Sequence, residues 1–305
     1  MSVHIVVVNW NGLADTRSCL DNLETCAGDA VVHVVDNGST DGSAAAMADE
    51  YPDVRLHALD ENRGFSGGVN VGLRAALEDG ATWILLMNND ATLAPGALAA
   101  LLMAGSRHPS AGLFGGRIYQ DRAADRLWCC GVGMGWWPNL CRLRGHGKAG
   151  AGRYLKEERV DGLTGCGLLV RREVFDRVGL LDEEWFVYVE DADLCARARK
   201  AGFDSVYVPG AVLEHAGAGS TGGGYSRGRK YLTAYGSVLY LRRHGTLLLW
   251  LGFVCVDLLM WPLLFVISVP TGRIGGAFAK LRGMIDGFLG RPIDKGVLSQ
   301  AEASS

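Results

Sequence analysis

The sequence predicts an α/β fold: a doubly wound, mostly parallel sheet of the Rossmann-like kind, followed by a membrane-associated helical C-terminal segment. Three observations carry this prediction. Runs of β-branched and aliphatic residues alternate with stretches of helical spacing from the first residues onward. Three of those runs end in compact polar clusters. A long, almost wholly apolar stretch then appears near the C-terminus.

Val3 to Val8 is an unbroken apolar run and reads as a strand buried on both faces. Leu13 to Cys26 has helical spacing. Val31 to Val35 is a second buried strand, and Ser39 or Thr40 is placed to cap a helix running to Glu50. Val54 to Leu59 is a short third strand, Ser66 to Glu78 a helix, and Trp83 to Met87 a fourth strand. Pro95 opens a further helix to about Arg107. This β-α-β repetition implies parallel strands joined by right-handed crossovers. Residues 111 to 170 read as short strands between Gly- and Trp-rich loops, and Arg171 to Val178 and Tyr188 to Ala201 as helices.

The chain has 305 residues, 49% of them hydrophobic, so it can bury a full core without disulfides or structural metal. A formal net charge of -3 supplies no global field for nucleic acid, so no nucleic-acid partner is expected. The 8 cysteines are scattered, with no CxxC pair, and read as reduced thiols. The start MSVHIVVVNWNG lacks a basic leader, so no signal peptide is expected. Residues 1-240 are expected to form the catalytic domain and 241-305 a membrane-associated helical region. Leu247 to Val269 is long enough to span a bilayer but carries Asp257 and Pro262, both unfavourable in a free spanning helix. Gly275 to Leu289 is a second, amphipathic helix with Phe278, Leu281, Ile285 and Phe288 on one side.

Ligands of doubly wound sheets bind beyond the carboxyl ends of the strands, where Asn9-Trp10-Asn11, Asp36-Asn37-Gly38-Ser39 and Asn88-Asn89-Asp90 stand. Asp36 can accept from the imide of uracil or thymine or from a guanine edge; equally, it can form a plain Asx-turn. Asn62-Arg63-Gly64-Phe65, followed by Ser66-Gly67-Gly68, suits either close approach to an anionic ligand at a helix start or a tight turn. Neither GxGxxG nor GxxxxGK[ST] occurs, so dinucleotide-binding and P-loop readings lose their support. Asp90 offers a hard oxygen ligand to a divalent cation, and His215, before a Gly-rich loop reaching Ser220, can join it. Arg227, Arg229 and Lys230 can neutralise a diphosphate or form a solvated helix face. Glu190-Asp191 stands at a helix start, where the dipole favours acids, beside Trp185, Phe186 and Tyr188, whose rings can stack on a sugar.

Five stretches in order, VVVNWNG, VDNGSTDGS, ENRGFSGGVNVG, LLMNND and VRREVFDRVGLLDEEWFVYVEDADLCARARKAG, resemble a family-2 glycosyltransferase of the bacterial rhamnosyltransferase-like branch. The resemblance runs from Ile5 to about His215. It implies a GT-A fold and an inverting, metal-dependent transfer from a nucleotide-diphosphate sugar donor; the branch makes rhamnose one candidate sugar. The membrane-associated C-terminal region, by its placement, suggests a glycan or polyprenyl-linked acceptor in polysaccharide or cell-wall assembly, on the cytoplasmic face of the plasma membrane, peripherally or through one span. The resemblance places Asp36 at the base, Asp90 with His215 on Mn²⁺ or Mg²⁺, and Asp191, beside Glu190, as general base. The donor would meet Asn9, Asn11, Asn62, Arg63, Gly64, Asn88, Asn89, Arg227 and Arg229; the acceptor would meet Trp185, Thr164 and Gly165. Two departures stand out. Asn88 replaces the first acid of the usual metal triplet, and the Arg-Asn pair often found on the late helix is missing near Tyr235-Gly236.

Two other readings compete. A nucleotidyltransferase would place a Gly-rich, cationic loop after the first strand, where this chain has Asn9-Trp10-Asn11-Gly12 and no cation before Arg17. An inactive membrane-docked scaffold would be expected to lack some of Asp36, Asp90 and Asp191, yet all three are present.

Overall fold

The computed structural model describes residues 1–136, 139–217 and 226–293. They fall into two compact units. The first is Met1–Gly133, Leu143–Glu183 and Leu194–Gly217; the second is Met134–Arg142, Glu184–Asp193 and Ala218–Ser305.

In chain order the strands are β1 (Val3–Asn9), β2 (Val31–Asp36), β3 (Arg55–Ala58), β4 (Trp83–Asn88), β5 (Ala91–Leu93), β6 (Ala111–Asp121), β7 (Arg126–Cys129), β8 (Val132–Met134), β9 (Cys141–Leu143), β10 (Glu158–Val160), β11 (Leu168–Arg171) and β12 (Asp204–His215). The α-helices are α1 (Leu13–Cys26), α2 (Ser43–Glu50), α3 (Gly64–Glu78), α4 (Ala97–Arg107), α5 (Arg172–Val178), α6 (Glu190–Lys200), α7 (Arg227–His244), α8 (Leu247–Phe253), α9 (Trp261–Ser268) and α10 (Ile274–Leu289).

The first unit is built on one sheet with the order β10-β12-β6-β11-β4-β1-β2-β3. β4, β1, β2 and β3 are parallel neighbours, as the β-α-β reading expects. β11 runs antiparallel to β4 and β6, and β12 lies parallel to β6. The core forms where α3, α5 and the later part of α6 cover this sheet, with Val6, Leu73, Ile84, Leu168, Val174 and Leu194 buried. Burial of each such aliphatic side chain contributes roughly 1.5–3 kcal/mol.

The glycines of α3 serve packing. A Cβ on Gly68 would stand 2.9 Å from Val8 Cγ1, and one on Gly72 would stand 2.4 Å from Val6 Cγ1. The spacing of four puts both glycines on the helix face that meets β1. Gly68 thus brings backbone close to the sheet, where the sequence suggested close approach to a ligand.

Three further expectations are corrected. α2 starts at Ser43 behind Gly42, without a side-chain cap, because the Ser39 hydroxyl accepts instead from the Asn11 and Asn9 nitrogens. The region read as short strands holds the 11-residue β6, which pairs with β11, β12 and β7. α6 begins at Glu190 because Tyr188 and Val189 take positive φ, 71° and 73°.

A ladder of three histidines crosses the parallel strands β1, β2 and β3. His4 Nδ1 lies 2.9 Å from His33 Nε2, and His33 Nδ1 lies 3.2 Å from His57 Nε2. The rings stack at centroid separations of 5.2 and 5.5 Å. Ser2 Oγ closes the chain at His4 Nε2. Each ring passes a hydrogen bond to the next only while the imidazoles are neutral.

In the second unit, α7 and α10 lie side by side. A Cβ on Gly283 would meet the Tyr231 carbonyl oxygen at 2.3 Å, so glycine sets that close approach. Among the described residues Leu247–Ser268 is the one helix long and apolar enough to cross a membrane, and only 17% of its 18-residue apolar window is buried. It is not continuous. A π turn at Val254–Leu258 separates α8 from α9, and Pro262, which has no N–H to donate, sits in the first turn of α9. The bulge turns Asp257 inward, where it accepts from Trp136 Nε1 at 2.6 Å and pairs with Lys280. Leu247, Leu248, Leu259, Leu263 and Val266 remain exposed.

Two outcomes follow for stability. Burial, then the neighbouring His4 and His57 charges, hold the His33 imidazole down to about 4, and burial followed by Arg55 lowers His4 and His57. An unfolded histidine titrates near 6.5, so below that pH the unfolded chain takes up protons that the folded chain refuses. Stability is therefore full above pH 6.5 and declines towards pH 4, by up to about 3 kcal/mol for His33 alone. Urea midpoints at pH 7 and pH 5 test this: the parent should lose stability at pH 5, His33→Gln should lose much less, and equal slopes would refute the ladder. Gly72→Ala should cost about 1–3 kcal/mol by overpacking Val6; an unchanged midpoint in the same titration would contradict the packing.

Candidate active site

Parallel register aligns the ends of three strands: Asn9 pairs with Asp36, and Val8 with Asn88. The Asn9 side chain, with no exposure, is the hub. Its Nδ2 donates to Asp36 Oδ2 at 2.8 Å. Its Oδ1 accepts from Thr16 Oγ1 at 2.9 Å, Gly12 N at 3.2 Å and Asn89 Nδ2 at 3.3 Å. Asn89 Nδ2 also donates to Thr16 Oγ1 at 3.0 Å.

Asp36 is 1% exposed, and its Oδ1 accepts from Ser39 N at 3.0 Å. Each carboxylate oxygen can accept a second bond, so the group can still meet a donor from a ligand. Asn11, at φ 50°, accepts from Thr40 N at 2.8 Å and ties the loop after β1 to the loop after β2.

The Asn62-Arg63-Gly64 turn is set by a residue whose importance the sequence reading passed over. Asn37 Nδ2 donates to Asn62 Oδ1 at 3.1 Å and to the Gly64 carbonyl at 2.9 Å, while its Oδ1 accepts from Arg63 N at 3.0 Å. Gly38 has φ 75°, and a Cβ there would fall 2.5 Å from the Glu61 backbone. The Asp-Asn-Gly-Ser signal was on view, but its partner lies 25 residues on and carries no periodic mark.

Asp90 and His215 meet because β12 pairs antiparallel with β5, which sets His215 opposite Ala91. His215 Nε2 lies 3.1 Å from Asp90 Oδ1, and each side chain is 9% exposed. Asn88 Nδ2 lies 3.3 Å from the same Nε2. His215 Nδ1 is buried without a partner among the described residues. Burial raises the Asp90 carboxyl, but the His215 hydrogen bond and charge and backbone N–H groups outweigh it, so the net shift is downward. The Trp128 ring, unforeseen from sequence, lies tilted against His215, 4.4 Å between centroids and 56° between planes. Of the Gly-rich loop after His215, residues 218–220 lie outside the described residues.

An oxygen and an imidazole nitrogen 3.1 Å apart fit two adjacent ligands of a divalent cation, whose ligands stand about 2.1 Å from it. Among the described residues His215 Nδ1 lacks the outer hydrogen-bond partner that orients most ligating histidines, so the pair's case rests on its spacing and burial. His4, His33 and Asp79 also bring ligand atoms within 4.8 Å of one another. That group lies at the opposite, amino ends of the strands; its ring nitrogens hydrogen-bond along the ladder and Asp79 pairs with Arg55. We therefore favour Asp90 with His215. Elsewhere in the first unit, Thr164 is 8% exposed with an unpartnered Oγ1, and a Cβ on Gly165 would stand 3.6 Å from Phe65.

The second unit holds the other acids. Tyr188 and Val189, both left-handed, deliver Glu190 and Asp191 to the first turn of α6. For a β-branched residue such as Val189 this costs of order 1–3 kcal/mol. Gly236 of α7 makes room, since a Cβ there would stand 3.2 Å from both the Tyr188 carbonyl and Val189 Cγ2. Glu190 is buried, with one oxygen unpartnered. Burial first, then the Asp191 and Asp193 charges, raise its carboxyl well above the usual range. Asp191 is half-buried and accepts from Ala192 N at 2.7 Å. Asp193 faces His244 at 2.7 Å, a partner not foreseen. Trp185 is buried under the Arg243 guanidinium, with its indole N–H unpartnered among the described residues. Arg229 stands over the Tyr188 ring, and Arg227 lies across Gly275 of α10.

Comparison with known proteins agrees. The family described as glycosyltransferase like family 2 matches residues 2–230. The N-acetylglucosaminyl-diphospho-decaprenol L-rhamnosyltransferase of Mycobacterium tuberculosis (strain CDC 1551 / Oshkosh) is 37% identical over 211 residues, covering 63% of this chain and 68% of that protein. The dTDP-rhamnosyl transferase RfbF of Shigella flexneri is 24% identical over 217 residues, 70% of this chain and 69% of that one. The mannosyltransferase PcManGT from Pyrobaculum calidifontis, solved with GDP-Man and Mn²⁺, superposes with a TM-score of 0.57 at 17% identity, covering 99% of this chain and 79% of that one, and shares the GT-A fold. With five motifs in order, a GT-A sheet and a family match over most of its length, the chain belongs to glycosyltransferase family 2 and is a rhamnosyltransferase-like sugar transferase.

Proposed function

We propose that this protein transfers L-rhamnose from a nucleoside-diphosphate donor to a hydroxyl of an N-acetylglucosaminyl-diphosphate lipid, with inversion and with Mn²⁺ or Mg²⁺ bound. The observation that carries the donor half is the buried Asp90–His215 pair at the carboxyl ends of the strands, beside Asn88. The mycobacterial relative supports the acceptor half by its own named substrate.

The roles divide as follows. Asp36, fixed by Asn9 and Ser39, accepts from the base of the nucleotide. Asn11, Asn62, Arg63 and Gly64 shape the loops around the nucleoside, and Asn88 and Asn89 hold the last strand end. Asp90 and His215 would hold the cation, which stabilises negative charge on the leaving diphosphate when bound. Asp191 takes the proton from the acceptor hydroxyl as its oxygen attacks the anomeric carbon opposite the diphosphate. Glu190, kept protonated by burial and by Asp191, leaves the negative charge on Asp191. Trp185, Thr164 and Gly165 serve the acceptor.

The exposed apolar face of Leu247–Ser268 supports peripheral docking on the membrane. Its one acid is paired with Lys280 and Trp136 of the same unit, which favours a segment lying on the bilayer over a free span. Eight free cysteines fit the reducing cytoplasmic face.

Purified protein, a panel of nucleotide-rhamnose donors and a GlcNAc-diphosphate lipid give the direct test: rhamnosyl transfer with inverted configuration is expected, and transfer of a different sugar would replace the donor assignment. Asp191→Asn should lower kcat about 10²- to 10⁴-fold while donor affinity holds; turnover at the parent rate would remove Asp191 as base. EDTA should abolish transfer, Mn²⁺ should restore it, and His215→Ala should raise the Mn²⁺ concentration needed by about 10- to 100-fold. Full activity in EDTA would dismiss the metal.

A further inference from the structure

A groove of about 740 Å³ opens along α7 and α10, and Arg227, which the family resemblance gives to the donor, lines it. Arg282 and Arg291 line it too, with Asp286 as the one carboxylate in its wall among the described residues, so the described wall carries an excess of positive charge. Asp286 is buried and organises that charge. Its Oδ2 accepts from Tyr231 Oη at 3.0 Å and lies 3.6 Å from Arg282 Nε, while its Oδ1 stands 3.4 Å from Arg291 Nη1. Arg227 reaches the groove across Gly275; a Cβ there would meet its Nε at 2.3 Å.

The remaining wall is apolar. Phe278 is 52% exposed and Ile285 44% exposed, an arrangement that leaves hydrocarbon facing solvent beside three guanidinium groups. Within the same unit, the apolar segment 247–268 exposes Leu247, Leu248, Leu259, Leu263 and Val266. Planar guanidinium forks match phosphate oxygens in pairs, and bare aliphatic and aromatic surface matches a hydrocarbon chain. A ligand satisfying both is an amphiphile with a multiply charged phosphate head.

We propose that this groove binds the diphosphate head and first isoprenoid units of the lipid acceptor. The proposal rests on the lipid-linked acceptor reading. It deepens that reading by assigning the lipid end of the acceptor to Arg227, Arg282 and Arg291, with Asp286 as positioning residue.

The test uses the full chain and needs no sugar donor. Flotation is measured with phosphatidylcholine vesicles, with the same vesicles carrying a long-chain polyprenyl diphosphate, and with vesicles carrying phosphatidylglycerol at matched charge. The parent should bind polyprenyl-diphosphate vesicles at least about tenfold more tightly than the charge-matched ones. The pair Arg282→Gln/Arg291→Gln should lose that preference and keep its binding to plain phosphatidylcholine. Both arginines are more than half exposed as side chains, 56% and 61%, and Asp286 keeps its hydrogen bond from Tyr231 Oη; an unchanged urea midpoint of the double variant shows that its fold is intact. Equal binding of the parent to the two anionic vesicles would overturn the proposal, as would an unchanged preference in the double variant. Complete displacement by equimolar inorganic pyrophosphate would also overturn it, by assigning the groove to free diphosphate. Failure of rhamnosyl transfer alongside intact lipid preference would sink the functional reading and leave the groove assignment standing.

Discussion

The side chain of Asn9 is the constraint on which the nucleotide end of the first unit depends. It sits where β1 ends, wholly buried, with partners on both its donor and its acceptor atoms. A buried amide left unpaired costs about 1–3 kcal/mol, so the loops must arrange themselves to satisfy it. Asp36 is held by the Asn9 amide, Thr16 pins the start of α1 to the Asn9 carbonyl, and Asn89 is drawn in from the end of β4. Three strand ends thereby become one polar floor. Asn37 repeats the logic one layer out, where a single amide fixes the turn that begins α3.

Strain and burial play a different part at Tyr188–Asp191. Two consecutive left-handed residues are unfavourable, yet they let α6 start with Glu190 and Asp191, where the helix dipole favours negative charge. Gly236 on α7 is the packing complement that accommodates the turn. The missing Arg-Asn pair at that point of the helix is thus matched by a steric duty. Glu190 and Asp191 are neighbours in sequence but differ in environment. One is buried with an oxygen unpartnered among the described residues, and burial with the Asp191 charge raises its carboxyl well above the usual range; the other is half-buried with a backbone partner. Such divergence between adjacent carboxyls is how one site obtains a neutral and a charged acid at the same pH.

The C-terminal part shows how an apolar segment can carry a charge. Asp257 would be unfavourable in hydrocarbon, but the π turn at Val254–Leu258 aims it at Lys280 and Trp136. The opposite face is left to aliphatic side chains. Breaking one partner of such a pair would leave an uncompensated buried charge, which is more damaging than never having had the pair.

The sequence by itself determined the alternation of strand and helix, the parallel arrangement at β1, β2 and β4, the strand-end clusters around Asn9, Asp36 and Asp90, and the apolar C-terminal segment. These are local properties. A buried parallel strand must be apolar throughout, and a helix must repeat every three or four residues, so both leave a mark in a short window. The family resemblance already named His215 with Asp90, but only the tertiary structure supplied how they meet, through an antiparallel pairing of β12 with β5 that joins residues far apart in the chain. The tertiary structure alone supplied Trp128 over His215, His244 beside Asp193, and the rule of Asn37 over Asn62 and Gly64. It also decided that the glycines of α3 serve helix–sheet contact and that Tyr188 and Val189 lie outside α6. Such contacts depend on the shape of the space left by distant elements, and a single side chain meeting another across that space imposes no repeat on the sequence between them.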